Sequence, residues 1–182
     1  MRPIPLFSVL GVKTAITPVS LATFGLAALL LAAGAGWGGL TLGTALLAGG
    51  LSVLGMAVSE WLHQMGHAVA ARRVGYPMQQ LVFTSILAVS VYPADEPALP
   101  ARLHIQRALG GFWVNLLIGL FLLPYWFFLS FEGGAGAWAL GWLAFWNCAV
   151  LGLGALVPID LPGRLTTDGA TLRRYWGEAG KD

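Results

Sequence analysis

Charged residues are scarce in this chain of 182 residues, of which only 10% are Asp, Glu, Lys or Arg. A soluble domain usually carries about 25% charged residues, whereas 57% of this sequence is hydrophobic and its mean hydropathy is +0.75. This composition predicts an integral membrane protein and gives no indication of a nucleic-acid partner. Because the length leaves no room for a separate soluble domain, we expect residues 1–182 to form a single membrane-embedded unit.

Cysteine and histidine are also rare. The single cysteine, Cys148, excludes an internal disulfide framework and a metal site built from several cysteines. The three histidines argue against a membrane di-iron oxygenase, which needs several histidine clusters. A transporter or channel would need polar residues along several spans, whereas the ionisable groups in the apolar runs concentrate at one end of one run.

Long apolar runs make up most of the chain. Four of them can span a hydrocarbon core of about 30 Å as helices, at about 15–35, 40–60, 109–131 and 137–157. Residues 79–92 are rich in β-branched and aromatic residues and too short to span, so they predict one strand or a hairpin associated with the membrane. The sequence therefore predicts an α-helical polytopic membrane protein with about four transmembrane helices and a short β segment.

The basic residues agree with this span count. Four spans place both termini on one side, and all ten Lys and Arg side chains then fall on that side. These residues are Arg2, Lys13, Arg72, Arg73, Arg102, Arg107, Arg164, Arg173, Arg174 and Lys181. By the positive-inside rule, the termini and the end of the second span face the cytoplasm. We expect an integral protein of a prokaryotic cell membrane.

A zinc-protease pattern is present with one residue missing. His63 and His67 are four residues apart, so on a helix both imidazoles project from one face and can chelate one metal ion. The H-E-x-x-H pattern has its general-base glutamate beside the first histidine, and here that position is Gln64. The metal-binding half of the pattern is therefore intact, and the proton-transfer half is not.

A catalytic zinc site needs a third protein ligand. The candidates are Asp168, which follows the last span at a predicted helix start, and Asp160 in the same loop. Glu60 lies one turn before His63 and could ligate the metal or orient an imidazole.

Residues 63–68 (His-Gln-Met-Gly-His-Ala) resemble the H-E-x-G-H-A motif of the site-2 protease family, the intramembrane zinc metalloproteases. The resemblance covers residues 50–175 approximately. In that family a membrane-associated β segment follows the motif helix, as residues 79–92 do here. A later span carries small residues and a downstream asparagine, similar to Gly110-Gly111 and Asn115.

The family's last motifs, N-x-x-P and L-D-G, are matched less closely. Val157-Pro158 and Asp168-Gly169 fit them, but Ala155 and Thr167 replace the asparagine and the leucine. Pro158 also precedes Asp168 by more residues than in the commonest family pattern, and Asn147 could supply the missing amide.

The resemblance implies an endopeptidase that cleaves transmembrane segments of membrane-tethered substrates, with one zinc ion held by His63, His67 and Asp168. Gln64 cannot take the proton that the family's glutamate accepts, so we expect zinc binding with little turnover. An engineered Glu→Gln change would explain this residue, and a natural pseudoprotease that binds transmembrane helices without cutting them is the alternative.

The expected partners are a transmembrane protein substrate and the lipid bilayer. A strand edge within residues 79–92 could pair with the unwound substrate, which makes Ser85 and Ile86 candidate substrate contacts. Asn115 and Asn147 are candidates for binding substrate backbone, or for joining helices through hydrogen bonds.

Overall fold

The computed structural model describes residues 2–161 and 165–178, which form five α-helices and six strands. The helices are α1 (Pro18–Trp37), α2 (Leu42–Arg73), α3 (Ala101–Ser130), α4 (Gly134–Phe145) and α5 (Asp168–Tyr175). The strands are β1 (Ile4–Val9), β2 (Val12–Ile16), β3 (Gln80–Phe83), β4 (Ala88–Val91), β5 (Asp160–Leu161) and β6 (Leu165–Thr166). A π-helical segment (Trp146–Gly152) and a 3-10 turn (Leu153–Leu156) continue α4.

Four helical segments of the described chain are long and apolar enough to cross a membrane, which confirms the predicted span count. They are α1, α2, α3 and the continuous segment Gly134–Leu156. The protein is therefore an α-helical integral membrane protein with a small sheet.

The helix ends differ from the predicted boundaries for local reasons. Thr17 caps α1 by accepting a hydrogen bond from the Ser20 amide, so the helix starts three residues later than the apolar run. Helix α2 runs without a break for 32 residues, about 48 Å at 1.5 Å per residue. Helix α3 begins at Ala101, eight residues before the predicted third span, and continues without a break to Ser130.

An N-terminal hairpin is the main element that the sequence did not predict. Strands β1 and β2 join β3 and β4 in a sheet of order β1-β2-β3-β4, with β2 and β3 parallel and the outer pairs antiparallel. The sequence predicts no element in residues 1–13. Pairing of Ala15 with Val82 spans the whole of α1 and α2, and such a nonlocal partner leaves no local signal.

The sheet also fixes one feature of the topology. Strand β2 leads directly into α1, and β3 follows the end of α2, so the start of α1 and the end of α2 lie on the same side. This agrees with an even number of crossings. Arg164 and Lys181, which supported the predicted orientation, lie outside the described residues.

Helices α2 and α3 cross at two glycines. A Cβ at Gly66 would lie 2.4 Å from the Gly110 carbonyl oxygen, and a Cβ at Gly110 would lie 2.5 Å from the Gly66 oxygen. The two backbones are thus in direct contact, as small residues permit in membrane helix packing.

We predict that Gly66→Ala lowers the free energy of unfolding by about 1–3 kcal/mol, because the added methyl group must push the two backbones apart. Gly50→Ala in the same helix is the matched control, since a Cβ there meets nothing within 4 Å. Unfolding in a detergent titration, followed by tryptophan fluorescence, measures both variants. Equal stability of the two would contradict the close crossing.

Candidate metal centre

Two buried imidazoles on α2 form the base of the site. His63 and His67 are only 6% and 7% exposed, and their Nε2 atoms are 3.0 Å apart. The helical spacing predicted from the sequence therefore brings both rings to one point, against α3.

Helix α3 sets the orientation of both rings. The Nδ1 atom of His63 lies 2.8 Å from the side-chain oxygen of Asn115, and Nδ1 of His67 lies 2.8 Å from the Arg107 carbonyl oxygen. An amide or peptide oxygen only accepts, so each Nδ1 must donate a proton. Each Nε2 is then left with its lone pair, the form in which a histidine binds a metal.

Asp168 provides a carboxylate opposite the two rings. Its Oδ1 lies 3.3 Å from Nε2 of His67, and its Oδ2 lies 3.5 Å from Nε2 of His63. The ligand atoms of the three residues all lie within 4.8 Å of one another. The structure thus brings together the three residues predicted as metal ligands.

The long spacing between Pro158 and Asp168 is absorbed by a small hairpin. Strands β5 and β6 pair antiparallel, and the Thr167 amide donates to the Ile159 carbonyl oxygen at 3.0 Å. The Thr167 hydroxyl donates to the Val157 carbonyl oxygen at 2.6 Å, which returns the chain to the end of the last span. Asp168 therefore starts α5 beside the imidazoles, despite the departure from the family's spacing.

The other two candidate ligands lie elsewhere. Asp160 is exposed in the hairpin and accepts a hydrogen bond from the Thr166 hydroxyl at 2.8 Å. Glu60 is buried one turn before His63, and it bonds to Gln64 and to the Ala88 amide. Neither belongs to the cluster of His63, His67 and Asp168.

The donor set fits a divalent cation. Ligand atoms about 2.0–2.1 Å from a tetrahedral zinc ion lie about 3.3 Å apart, close to the three separations here. Among the described residues, the buried Asp168 Oδ2 has no hydrogen-bond partner. Two lone pairs and a carboxylate that face one another without a proton repel, and a bound cation removes that repulsion. Imidazole nitrogen and carboxylate oxygen are ligands that zinc accepts.

Gly111 of α3 leaves the space that this cluster needs. A Cβ at this position would lie 2.5 Å from Nε2 of His67 and 2.6 Å from Nε2 of His63. Only a residue without a side chain therefore lets α3 approach the two nitrogens this closely.

Gln64 faces a carboxylate. Its side-chain nitrogen donates to Oε1 of Glu60 at 3.0 Å and to the Ala88 carbonyl oxygen at 3.0 Å, while its oxygen accepts from the Ser90 hydroxyl at 2.7 Å. Glu60 also accepts from the Ala88 amide at 2.9 Å. The amide of Gln64 is thus matched to Glu60, and together the two side chains hold strand β4 against α2.

A cavity of about 710 Å³ borders the cluster. Its lining includes residues 87–90 together with Glu60, His63, Gln64, His67 and Asp168. Ser85 and Ile86, the predicted strand contacts, lie instead in the turn between β3 and β4. Ile86 packs there against the cluster of Met56, Trp146 and Leu151. Ser90 was not predicted from the sequence, because its hydrogen bond to the Gln64 side chain depends on the register of β4.

An ion pair between Arg107 and the half-buried Glu96 forms part of the lining of this cavity. The Arg107 guanidinium contacts both oxygens of Glu96 at 3.0 Å and lies 3.4 Å from the centre of the Tyr92 ring. These contacts attach the segment between β4 and α3 to Arg107, and the Arg107 carbonyl oxygen orients His67. Arg107 therefore does more than mark the membrane orientation.

Asn115 and Asn147 are brought together, away from the cavity wall. Both are fully buried, and the Asn115 nitrogen donates to the Asn147 side-chain oxygen at 2.7 Å. In this structure their hydrogen bonds join α2, α3 and the π-helical segment.

Four apolar helices that can cross a membrane, with a His-His-Asp cluster at one end, define a polytopic membrane protein with a candidate metal centre. Comparison with known protein families and with curated proteins gives no match. A solved structure, the site-2 protease from Methanocaldococcus jannaschii, is similar over 95% of this chain and 70% of its own, with a TM-score of 0.58 and 21% identity. The fold implied by the resemblance to site-2 proteases is therefore confirmed.

We predict that Gly111→Ala weakens zinc binding about 10–100-fold, the range for disturbed metal surroundings, because the methyl group displaces the imidazoles. Competition with a chelating dye measures the affinity, and Gly50→Ala is the control. An unchanged affinity would show that the ion does not bind between the two Nε2 atoms.

We also predict that Gln64→Glu lowers the free energy of unfolding by about 1–3 kcal/mol, because two buried carboxylates would then face each other. Glu60→Gln combined with Gln64→Glu should recover part of this loss, since an amide again faces a carboxylate. The detergent titration described above measures the single and double variants. Additive losses in the double variant would argue against the pairing.

Proposed function

We propose that this chain is an intramembrane zinc endopeptidase of the site-2 protease type in which Gln64 has removed most of the turnover. The observation that carries the proposal is the convergence of His63, His67 and Asp168 at a cavity beside an edge strand. The fold shared with the site-2 protease from M. jannaschii supports it.

One zinc ion would be held by Nε2 of His63, Nε2 of His67 and the carboxylate of Asp168. When bound, zinc supplies Lewis acidity towards a water molecule and a peptide carbonyl group. The hydrogen bonds from Nδ1 of each imidazole hold the rings in place, and burial among the helices keeps bulk water from the ligands.

Position 64 is where the family's general base stands. An amide has nearly the shape of a carboxylate and can hydrogen-bond a water molecule, but it does not accept a proton at neutral pH. General-base catalysis contributes typically about 10²–10⁴ to a rate. The proposal therefore predicts a large loss of turnover rate and little change in metal affinity.

Strand β4 is the proposed binding edge for an unwound transmembrane segment. The Thr84 amide donates to the Leu87 carbonyl oxygen, so the antiparallel alternation directs the backbone of Ala88 and Ser90 away from β3. The contacts of Ala88 with Glu60 and Gln64 agree with this direction and occupy its outward N–H and C=O groups, so an added strand would pair with the backbone of Ser90. A strand added at this edge would run past Gln64 towards the metal ligands.

A second candidate function is capture of transmembrane helices without cleavage. It is favoured by the hydrogen bonds of Gln64, whose amide nitrogen and oxygen are both engaged by Glu60, Ala88 and Ser90. A glutamine whose amide nitrogen and oxygen both have hydrogen-bond partners is expected where the surrounding residues evolved together with glutamine at this position. The same contacts argue against a simple engineered replacement.

The proposed location is a prokaryotic cell membrane, with the termini and the metal centre on the cytoplasmic side. The basic residues in the last turn of α2, Arg72 and Arg73, support this orientation by the positive-inside rule.

The test uses protein reconstituted in liposomes with zinc and a pool of single-span peptides of about 20–25 apolar residues. We expect the parent chain to bind one zinc per molecule and to cut little, whereas Glu60→Gln/Gln64→Glu yields new peptide fragments by mass spectrometry. His63→Ala and Asp168→Ala should lose the metal. Absence of fragments from the zinc-loaded double variant would favour the capture function, and absence of zinc from the parent would overturn the endopeptidase proposal.

A further inference from the structure

We infer that Asn147 and Asn115 are positioning residues that set the ring tautomer of His63, so that its Nε2 atom is free to bind a metal ion. The two amides form a directional chain of hydrogen bonds from the π-helical segment to the imidazole. This inference rests on the proposed function in one respect, which is the identity of the metal ion as zinc.

The chain starts at Asn147, whose orientation is fixed by the backbone. Its side-chain nitrogen donates to the Leu143 carbonyl oxygen at 2.9 Å and to the Ser59 hydroxyl at 2.9 Å. Because a carbonyl oxygen only accepts, the nitrogen must face this way. The Asn147 oxygen then faces Asn115.

Asn115 is oriented by two acceptors. Its nitrogen donates to the Asn147 side-chain oxygen at 2.7 Å and to the Ser59 carbonyl oxygen at 3.2 Å. Turning the amide over would place an oxygen against both of these oxygens, which is unfavourable in a fully buried position. The Asn115 oxygen is therefore held towards Nδ1 of His63.

The orientation of Asn115 determines whether Nε2 of His63, the nitrogen that faces the proposed metal position, carries a proton. An oxygen opposite Nδ1 keeps the ring proton there and leaves a lone pair on Nε2. With Asn115 turned over, its nitrogen would donate to Nδ1 and the ring proton would move to Nε2. That proton would point at Nε2 of His67 and the carboxylate of Asp168, where the metal must sit.

Two further features of the contact between α3 and the π-helical segment support a positioning role for Asn147 and Asn115. Asn147 is the second residue of the π-helical segment Trp146–Gly152, a rare conformation that occurs frequently at functional sites. Helix α3 packs tightly on this segment, since a Cβ at Gly119 would lie 2.3 Å from Sγ of Cys148. Both amides are 0% exposed, so neither meets substrate or lipid in this structure.

The tautomer can be read directly in metal-free protein, at a pH high enough to keep both imidazoles neutral. The chain has three histidines, so labelling with ¹⁵N-histidine gives three imidazole signals by NMR in detergent micelles. We expect His63 and His67 of the parent to carry the proton on Nδ1. His67 is an internal reference, because its acceptor is the Arg107 backbone oxygen and does not change in any variant.

Asn115→Leu should move the His63 proton to Nε2 and weaken zinc binding about 10–100-fold. Asn147→Leu should act in the same direction with a smaller effect, because the Ser59 carbonyl oxygen still orients Asn115. Ser52→Ala, which removes another buried side-chain donor from α2, is the matched control and should change neither reading.

Asn115→Asp separates this role from simple joining of helices. The carboxylate still accepts from Nδ1 of His63 but no longer donates to Asn147 or Ser59, so stability falls while the His63 tautomer and the zinc affinity are kept. A His63 proton that stays on Nδ1 in Asn115→Leu, or Asn115→Asp that loses zinc as Asn115→Leu does, would overturn the inference. Because the tautomer is measured without metal, a parent chain that binds no zinc would overturn the proposed function and leave this reading intact.

Discussion

The close crossing of α2 and α3 at Gly66 and Gly110 is the contact on which the site depends. It brings one face of α3, with Arg107, Gly111 and Asn115 spaced by four residues, against the two histidines of α2. At that distance a backbone oxygen and a side-chain amide can orient both imidazoles. In lipid, where hydrophobic burial does not drive helices together, such close backbone packing is a main source of association. The same contact therefore stabilises the bundle and orders the candidate metal ligands.

The pairing of Gln64 with Glu60 gives the residue at position 64 a structural role that is independent of the proposed catalysis. If position 64 carried a carboxylate in this arrangement, two buried acids would lie about 3 Å apart and one would have to be protonated. With glutamine, one amide donates to Glu60 and to strand β4 at once. In the proposed enzyme, glutamine at this position would remove proton transfer while it attaches the edge strand to α2. The proposed zinc binding and strand binding would therefore not depend on hydrolysis.

The small sheet connects the membrane helices to the proposed binding edge. The N-terminal hairpin supplies two of its four strands, and β2 pairs with β3 in parallel. Strand β4 therefore belongs to a sheet whose first two strands precede the first span. Its Ala88 backbone forms hydrogen bonds with Glu60 and Gln64 of α2. A proposed substrate strand would meet an edge that is already fixed in register with the metal ligands.

The sequence by itself determined the elements with local causes. The scarcity of charge and the length of the apolar runs predicted four spans, and the spacing of His63 and His67 predicted one shared face, because both follow from helical geometry. Asp168 could be ranked first among the acids from its place after the last span. Only the tertiary structure decided how Asp168 returns through a hairpin, how residues 4–16 join the sheet, and which groups face Gln64, Asn115 and Asn147. These contacts join residues far apart in the chain, and their geometry depends on how closely the helices pack and on strand register, neither of which leaves a periodic signal in the sequence.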